Sequence, residues 1–229
     1  MRIAELDLIR ELALFRGMKP AHFEYLMGAA FLQRFPEQIA LIEEGDEPDF
    51  LHIVVEGTVE LFAKHEERET TLDLIAPVTT FILAAVVRDE IYLKSARTLI
   101  SSRILMIPAA AVREVFGRDA TFARAVVEEL ALRYRGMVRT LKNERLRTSA
   151  ERLANWILKT SRQHGDADKF QIPYDKRTLA ALLGMTPENL SRNLAFLTDH
   201  GVSNHGRQVV IEDLNALTFF ARPNILIDG

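Results

Sequence analysis

The chain has 229 residues, 48% of them hydrophobic and 27% charged, with a formal net charge of -3. This length and composition fit a soluble protein of two domains, and no apolar run reaches the ~20 residues a membrane helix needs. With no cysteine, disulfides, cysteine-ligated iron–sulfur clusters and thiol catalysis are excluded. The opening Met1-Arg2-Ile3-Ala4-Glu5-Leu6-Asp7 lacks a signal-peptide core, so the expected location is the cytoplasm, with no membrane partner.

Residues 1–30 read as short helices, with Leu12, Leu14 and Phe15 as an apolar cluster ended by Gly17 and Pro20. From Phe31 to Met106 the pattern changes to short apolar runs: 39–42, 50–55, 59–62, 70–75, 98–100 and 104–107. Turn residues separate them at Gly45-Asp46, Gly57, Pro77 and Pro108. Many short strands at regular spacing predict a β-barrel or jelly roll, and Pro108-Ala109-Ala110-Ala111 opens a helical stretch.

Residues 119–147 form one long helical pattern. Val127, Leu130, Tyr134, Met137 and Leu141 recur at spacings of three and four, a heptad seam that calls for a partner helix. The seam is read as the interface of a parallel homodimer, the alternative being a helix packed on its own domain. Gly136 beside it permits close backbone approach. The polar Arg145-Leu146-Arg147-Thr148-Ser149 reads as a hinge. A helix from Ala150 to Arg162, a loop at 165–168 and a strand at 170–174 follow. The predicted architecture is α+β: a sensor jelly roll with N-terminal helices (1–118), a dimerisation helix (119–147) and a DNA-binding domain (148–229).

The most informative stretch is 178–197. Leu179, Ala180, Leu182 and Leu183 form the buried side of one short helix, and Gly184 suits a tight turn needing positive φ. Thr186 is a predicted N-cap, with Pro187 at the first helical position. Leu190, Leu194 and Leu197 then form an apolar stripe. Two short strands, 202–211, turn at His205-Gly206. Helix, turn, helix and hairpin in that order describe a winged helix-turn-helix, whose second helix presents its N-terminal end to the major groove of duplex DNA; an ordinary helical hairpin is the alternative. Thr186, Glu188, Asn189, Ser191 and Arg192 lie near that end. Lys176, Arg177 and Arg207 are placed to meet phosphates.

Taken in order, these segments resemble the CRP/FNR family of bacterial transcription regulators over about residues 12–215. The strongest motifs are Glu44-Gly45-Asp46 followed by Phe50-Leu51-His52-Ile53-Val54-Val55-Glu56-Gly57-Thr58-Val59, then Arg152-Leu153-Ala154 and the 178–197 segment. Glu188-Asn189-Leu190-Ser191-Arg192 resembles the Glu-x-x-Ser-Arg pattern of the FNR branch, with Pro187 where the CRP branch has an arginine. The resemblance implies a palindromic TTGA-like site and RNA polymerase as a partner. Arg192 can donate twice to guanine, Glu188 can accept from cytosine and Ser191 can approach a thymine methyl; four residues apart, Glu188 and Arg192 can also pair. Asn193 stands where the family usually has an apolar residue.

The sensor end departs from the family. Cyclic-AMP binders carry Gly-Glu and then Arg-Ser-Ala around the cyclic phosphate; here Leu83 and Ala84 replace Gly-Glu, and Lys94-Ser95-Ala96 replaces Arg-Ser-Ala. Met137 and Val138 replace the Thr-Ser that reaches the adenine. Leu83, Ala84, Lys94, Ser95, Met137 and Val138 are therefore expected to line an apolar pocket for an effector other than cyclic AMP, or for none. No cofactor or metal is expected. Haem remains an alternative, with His22, His52 and His65 as candidate ligands. A cupin-type enzyme needs clustered His and Glu ligands, which the two barrel histidines do not supply. A cyclic-nucleotide-regulated interaction module is the remaining alternative.

Overall fold

The computed structural model describes residues 3–229. It divides into two compact units, 1–134 and 135–229.

In the first unit, helices α1 (Ile3–Arg10), α2 (Ala13–Arg16) and α3 (Pro20–Ala29) precede eight strands: β1 (Phe31–Phe35), β2 (Ala40–Ile42), β3 (Phe50–Glu56), β4 (Val59–His65), β5 (Arg68–Ile75), β6 (Thr79–Phe81), β7 (Ser95–Thr98) and β8 (Ser102–Pro108). A short helix, α4 (Leu83–Arg88), lies between β6 and β7, and α5 (Ala109–Arg118) follows β8. The strands pair antiparallel in two sheets, ordered β1-β8-β3-β6 and β2-β7-β4-β5. The result is a jelly-roll-like sandwich and not the closed barrel that was the other reading of the strand pattern.

Burial on both faces explains the continuous apolar run of β3. Leu51, Ile53 and Val55 join Leu105 and Ile107 of β8 in a core shared with the helices, including Phe15, Leu26, Val112 and Phe122. Val54, between them, joins Val59, Leu61, Ile75, Phe81, Ala96 and Ile104 inside the sandwich. Strands β1 and β6 escape the sequence pattern because β1 is largely exposed and β6 has only three residues. The strand expected at 98–100 lies earlier, at 95–98, because Leu99 begins the turn into β8. Gly57 of the Glu56-Gly57-Thr58 turn has φ +93°, and a Cβ there would come within 2.7 Å of the Ser102 backbone, so both conformation and space require glycine.

The long helix α6 (Ala120–Leu146) begins at a buried carboxylate. One oxygen of Asp119 accepts from the Thr121 and Phe122 N–H groups at 3.0 and 3.1 Å, and the other from Lys19 N at 3.0 Å and His22 Nδ1 at 2.9 Å. Burial pushes this carboxyl up; the His22 contact and the three backbone N–H groups outweigh it and hold the pKa at about 2.

The second unit holds α7 (Ser149–Gln163), β9 (Lys169–Gln171), α8 (Lys176–Leu182), α9 (Pro187–Phe196), β10 (Val202–His205), β11 (Gln208–Ile211), α10 (Leu214–Ala221) and α11 (Ile225–Asp228). Thr148 and Glu151 form a capping box at the start of α7, which satisfies two otherwise orphaned N–H groups. The core joins Leu153 and Ile157 of α7, Leu179 of α8, Leu190 and Leu194 of α9, Leu197, Val209 and Leu217. Asn193 is buried among them, and among the described residues the one hydrogen bond of its side chain is a 3.5 Å contact from Nδ2 to the Met185 sulfur.

Two expectations follow. His52 is 3% exposed, stacks on Phe81 at 5.2 Å and leaves Nδ1 without a partner. Burial lowers its pKa from 6.5 to about 4, against an opposing hydrogen bond with the Phe50 backbone. The unfolded chain then binds a proton that the native protein refuses, so this group's contribution is complete above pH 6.5 and disappears towards pH 4, about 3 kcal/mol in all. In denaturant titrations from pH 7 to 4, His52→Phe should lose less stability than the wild type by that amount; parallel curves would refute the assignment. Asn193→Leu should raise stability by about 1 kcal/mol, because the amide it removes is poorly satisfied. Chemical denaturation measures this, and a destabilised variant would show that the amide contributes more than its geometry indicates.

Candidate nucleic-acid interface

Helix α9 has one face fixed and one face free. Leu190, Leu194 and the following Leu197 are buried, which leaves Glu188, Ser191 and Arg192 exposed. Thr186 caps the helix by accepting from Asn189 N at 3.2 Å, with Pro187 at the first position, as the sequence predicts. Gly184, at φ +61°, makes the turn between α8 and α9.

The predicted pairing of Glu188 with Arg192 does not form. Glu188 turns back to the helix start, where its own backbone N–H first and the Thr186 hydroxyl second hold its carboxyl below the usual range; Arg192 acts only at longer range. A carboxylate at the second helical position finds the exposed N–H groups closer than a guanidinium one turn later. Among the described residues, Arg192 and Ser191 consequently make no hydrogen bond or close ion pair. Asn189 is half-buried, its amide 3.5 Å from the Ser149 hydroxyl, so its side chain points at α7 and not along the exposed face.

Around α9 stand the expected basic residues. Lys176 and Arg177 open α8, which Asp175 caps by accepting from Thr178 N at 2.7 Å. Strands β10 and β11 pair antiparallel, and β9 pairs with β11. Arg207, at their turn, donates from Nε to the Ile172 carbonyl at 3.0 Å, while Ile172 N donates to the Arg207 carbonyl at 2.8 Å. That reciprocal pair fixes the wing, with the terminal guanidinium nitrogens beyond it.

Arg152, noted in the sequence only as part of a motif, holds the turn. Its guanidinium donates to the carbonyls of Leu183 at 2.9 Å, Gly184 at 3.1 Å and Arg147 at 2.9 Å. It thereby satisfies carbonyls that the end of α8 leaves open. No local spacing announces this role, since its partners are 31 and 32 residues away.

Within the first unit, the residues expected to line an effector pocket lie in different surroundings. Leu83 packs with Val86 into the core facing the helices, and Ala84 is exposed. Strand alternation turns Ser95 to the outer face of its sheet, where its hydroxyl accepts from Glu44 N at 3.0 Å. There it borders a shallow cleft of about 520 Å³ with Phe62, Lys64 and Arg97. Lys94 is half-buried, and its pKa is lowered chiefly by burial, with Asp73 opposing and Arg133 assisting. Met137 and Val138 belong to the second unit and are exposed. The sandwich interior holds the apolar cluster of Val54, Val59, Leu61, Ile75, Phe81, Ala96 and Ile104.

Of the histidines weighed as metal ligands, His22 is engaged by Asp119, His65 is exposed at the β4–β5 turn, and His52 is buried. Among the described residues no three His, Asp or Glu side chains are grouped as a metal site, and no helix is long and apolar enough to cross a membrane.

The comparisons with known proteins agree with this geometry. Residues 32–119 match the cyclic nucleotide-binding domain and residues 151–220 the Crp-like helix-turn-helix domain. The chain is 22% identical over 222 residues to a CRP-like cAMP-activated global transcriptional regulator of Mycobacterium tuberculosis, covering 94% of this chain and 99% of that protein. It is 21% identical to the cAMP-activated global transcriptional regulator CRP of Haemophilus influenzae, over 82% and 87% of the two chains. In fold it resembles FixK2 from Bradyrhizobium japonicum (TM-score 0.72, 21% identity, 83% and 96% coverage). It also resembles the c-di-GMP responsive global regulator CLP of Xanthomonas campestris (TM-score 0.70, 18% identity, 85% and 100% coverage). The two domain matches, in this order and together spanning most of the chain, show that the protein belongs to the CRP/FNR-type transcription regulators, with a cyclic nucleotide-binding domain followed by a Crp-like helix-turn-helix.

Proposed function

We propose that this regulator acts as a homodimer that reads a palindromic TTGA-like site in double-stranded DNA, under an effector other than cyclic AMP or none. The observation that carries the reading is the exposed pair Ser191 and Arg192, which make no hydrogen bond or close ion pair among the described residues, on a helix whose opposite face is locked into a core. A bidentate guanidinium at that position suits guanine O6 and N7. Lys176, Arg177 and Arg207 supply phosphate contacts on either side. Glu188 rests on the helix N-terminus and is available to a cytosine amino group.

The dimer is supported by α6. Val127 is 60% exposed, Tyr134 69%, Met137 72% and Leu141 53%. Leu130 alone of the seam is half-buried, against the core of the first unit. Gly136, on the same helix, has nothing within 4 Å of its would-be Cβ. An apolar stripe of this length is what a parallel partner helix covers. Two copies would present two reading helices about one turn of DNA apart.

Two of the relatives are named for cAMP activation and one fold neighbour for response to c-di-GMP; neither name transfers to a sandwich that lacks the polar grips at 83, 84 and 94. RNA polymerase is the partner on which a regulator of this family would act, from the cytoplasm.

Two measurements test the proposal. Arg192→Ala should weaken binding to a TTGA palindrome by roughly 30-fold to over 1000-fold, from about 1–3 kcal/mol lost in each half-site. Binding to random duplex should change far less. Equal losses on both would remove Arg192 from base reading. Met137→Glu, at an exposed position of the seam, should leave the monomer folded and convert a dimer to monomer in sedimentation; an unchanged dimer would place the interface elsewhere.

A further inference from the structure

The joint between α6 and α7 consists of two residues, Arg147 and Thr148. A polar joint this short would ordinarily be a free hinge, and the sequence reads that way. In the structure it is braced from two directions. The Arg147 side chain is 7% exposed, and its guanidinium makes parallel 2.6 Å hydrogen bonds to both carboxylate oxygens of Asp228 and a third, of 3.0 Å, to Asn143 Oδ1 in α6. The Arg147 carbonyl accepts from Arg152, whose other nitrogens hold the helix-turn-helix turn at Leu183 and Gly184.

Asp228 is itself held in place. Asn224 N donates to its second oxygen at 2.7 Å, and Asn224 caps α11 by accepting from Leu226 N at 2.8 Å. Lys142 of α6 donates to the Leu226 carbonyl at 3.2 Å. Upstream, the buried Asn155 of α7 donates to the Ala221 carbonyl at 2.7 Å. Residues 221–228 thus touch α6 on one side of the joint and α7 on the other. They lie beyond the matched helix-turn-helix domain, which ends at residue 220.

From this chain of contacts we infer that Asp228 is a positioning residue for the recognition helix. Through Arg147 and Arg152 it fixes the direction of α9 relative to the C-terminal end of α6. A bidentate carboxylate on a nearly buried guanidinium is directional as well as strong. Its removal leaves Arg147 buried and uncompensated, which the joint relieves by moving. The inference rests on the DNA-reading proposal for its consequence, since two reading helices on loose joints no longer enforce one half-site spacing.

The full-length chain and three variants test it: Asp228→Ala, Asp228→Asn, and the charge exchange Arg147→Glu with Asp228→Arg. Hydrogen–deuterium exchange reads the brace without DNA. Asp228→Ala should speed exchange of the amides at 147–149 and 184–186 by about tenfold or more while those at 153–158 stay protected, as expected of local and not global opening. Asp228→Asn should fall between, and the charge exchange should restore protection. Wild-type protection at the joint in Asp228→Ala overturns the brace.

Binding to palindromes whose half-site spacing is varied by one and two base pairs reads the positioning. The wild type should prefer one spacing by about tenfold or more, and Asp228→Ala should flatten that preference. A single half-site should bind both proteins alike. A variant that keeps the wild-type spacing profile overturns the positioning role. Should the wild type bind no palindrome at any spacing, the DNA-reading proposal fails, while the exchange comparison still decides the brace.

Discussion

The packing of Leu190, Leu194 and Leu197 into the core of the second unit is the contact on which the reading surface depends. Apolar burial has no direction of its own, yet at helical spacing it sets the rotation of α9 about its axis. Once the three leucines face inward, Ser191 and Arg192 have no side of the helix left to occupy but the outer one. The cap at Thr186 and the turn at Gly184 fix where the helix starts, and Arg152 holds that start against α7. A base-reading side chain needs all three: rotation, starting point and support.

Much of this was legible in the residues. The leucine spacing, Thr186-Pro187 and Gly184 each act locally, so their consequences are visible in a window of ten residues. The hairpin at 202–211 was legible for the same reason. What stayed hidden depends on distant partners. Arg152 meets carbonyls some thirty residues away, and Arg147 meets a carboxylate at 228. The Glu188–Arg192 pair failed for the converse reason: spacing permits an ion pair, but a helix N-terminus offers the carboxylate a nearer set of donors.

The sensor end shows another limit. Matching Leu83, Ala84, Lys94 and Ser95 to a phosphate-binding pattern compares residue types at positions along the chain. It did not reveal where the replacements go. Leu83 is drawn into the helix-facing core because an apolar side chain at that turn gains more by burial than by lining a cavity. Ser95 and Ala96 occupy opposite faces of β7 because strand alternation leaves no other arrangement. The sandwich interior holds a different set, Val54, Val59, Leu61, Ile75, Phe81, Ala96 and Ile104, so the positions that replace the pattern and the residues that fill the interior are not the same ones.

Asp119 carries a consequence of a different kind. Its two oxygens divide their work, one serving the first turn of α6 and the other serving Lys19 and His22 at the start of α3. Four donors converge on one carboxylate, and an amide of the same shape would offer a single acceptor oxygen and set its own hydrogens against two of those donors. The junction therefore selects for charge and not for shape. It also makes one carboxylate the common anchor of the long helix and of α3, so that loss of its charge would loosen both helix starts at once.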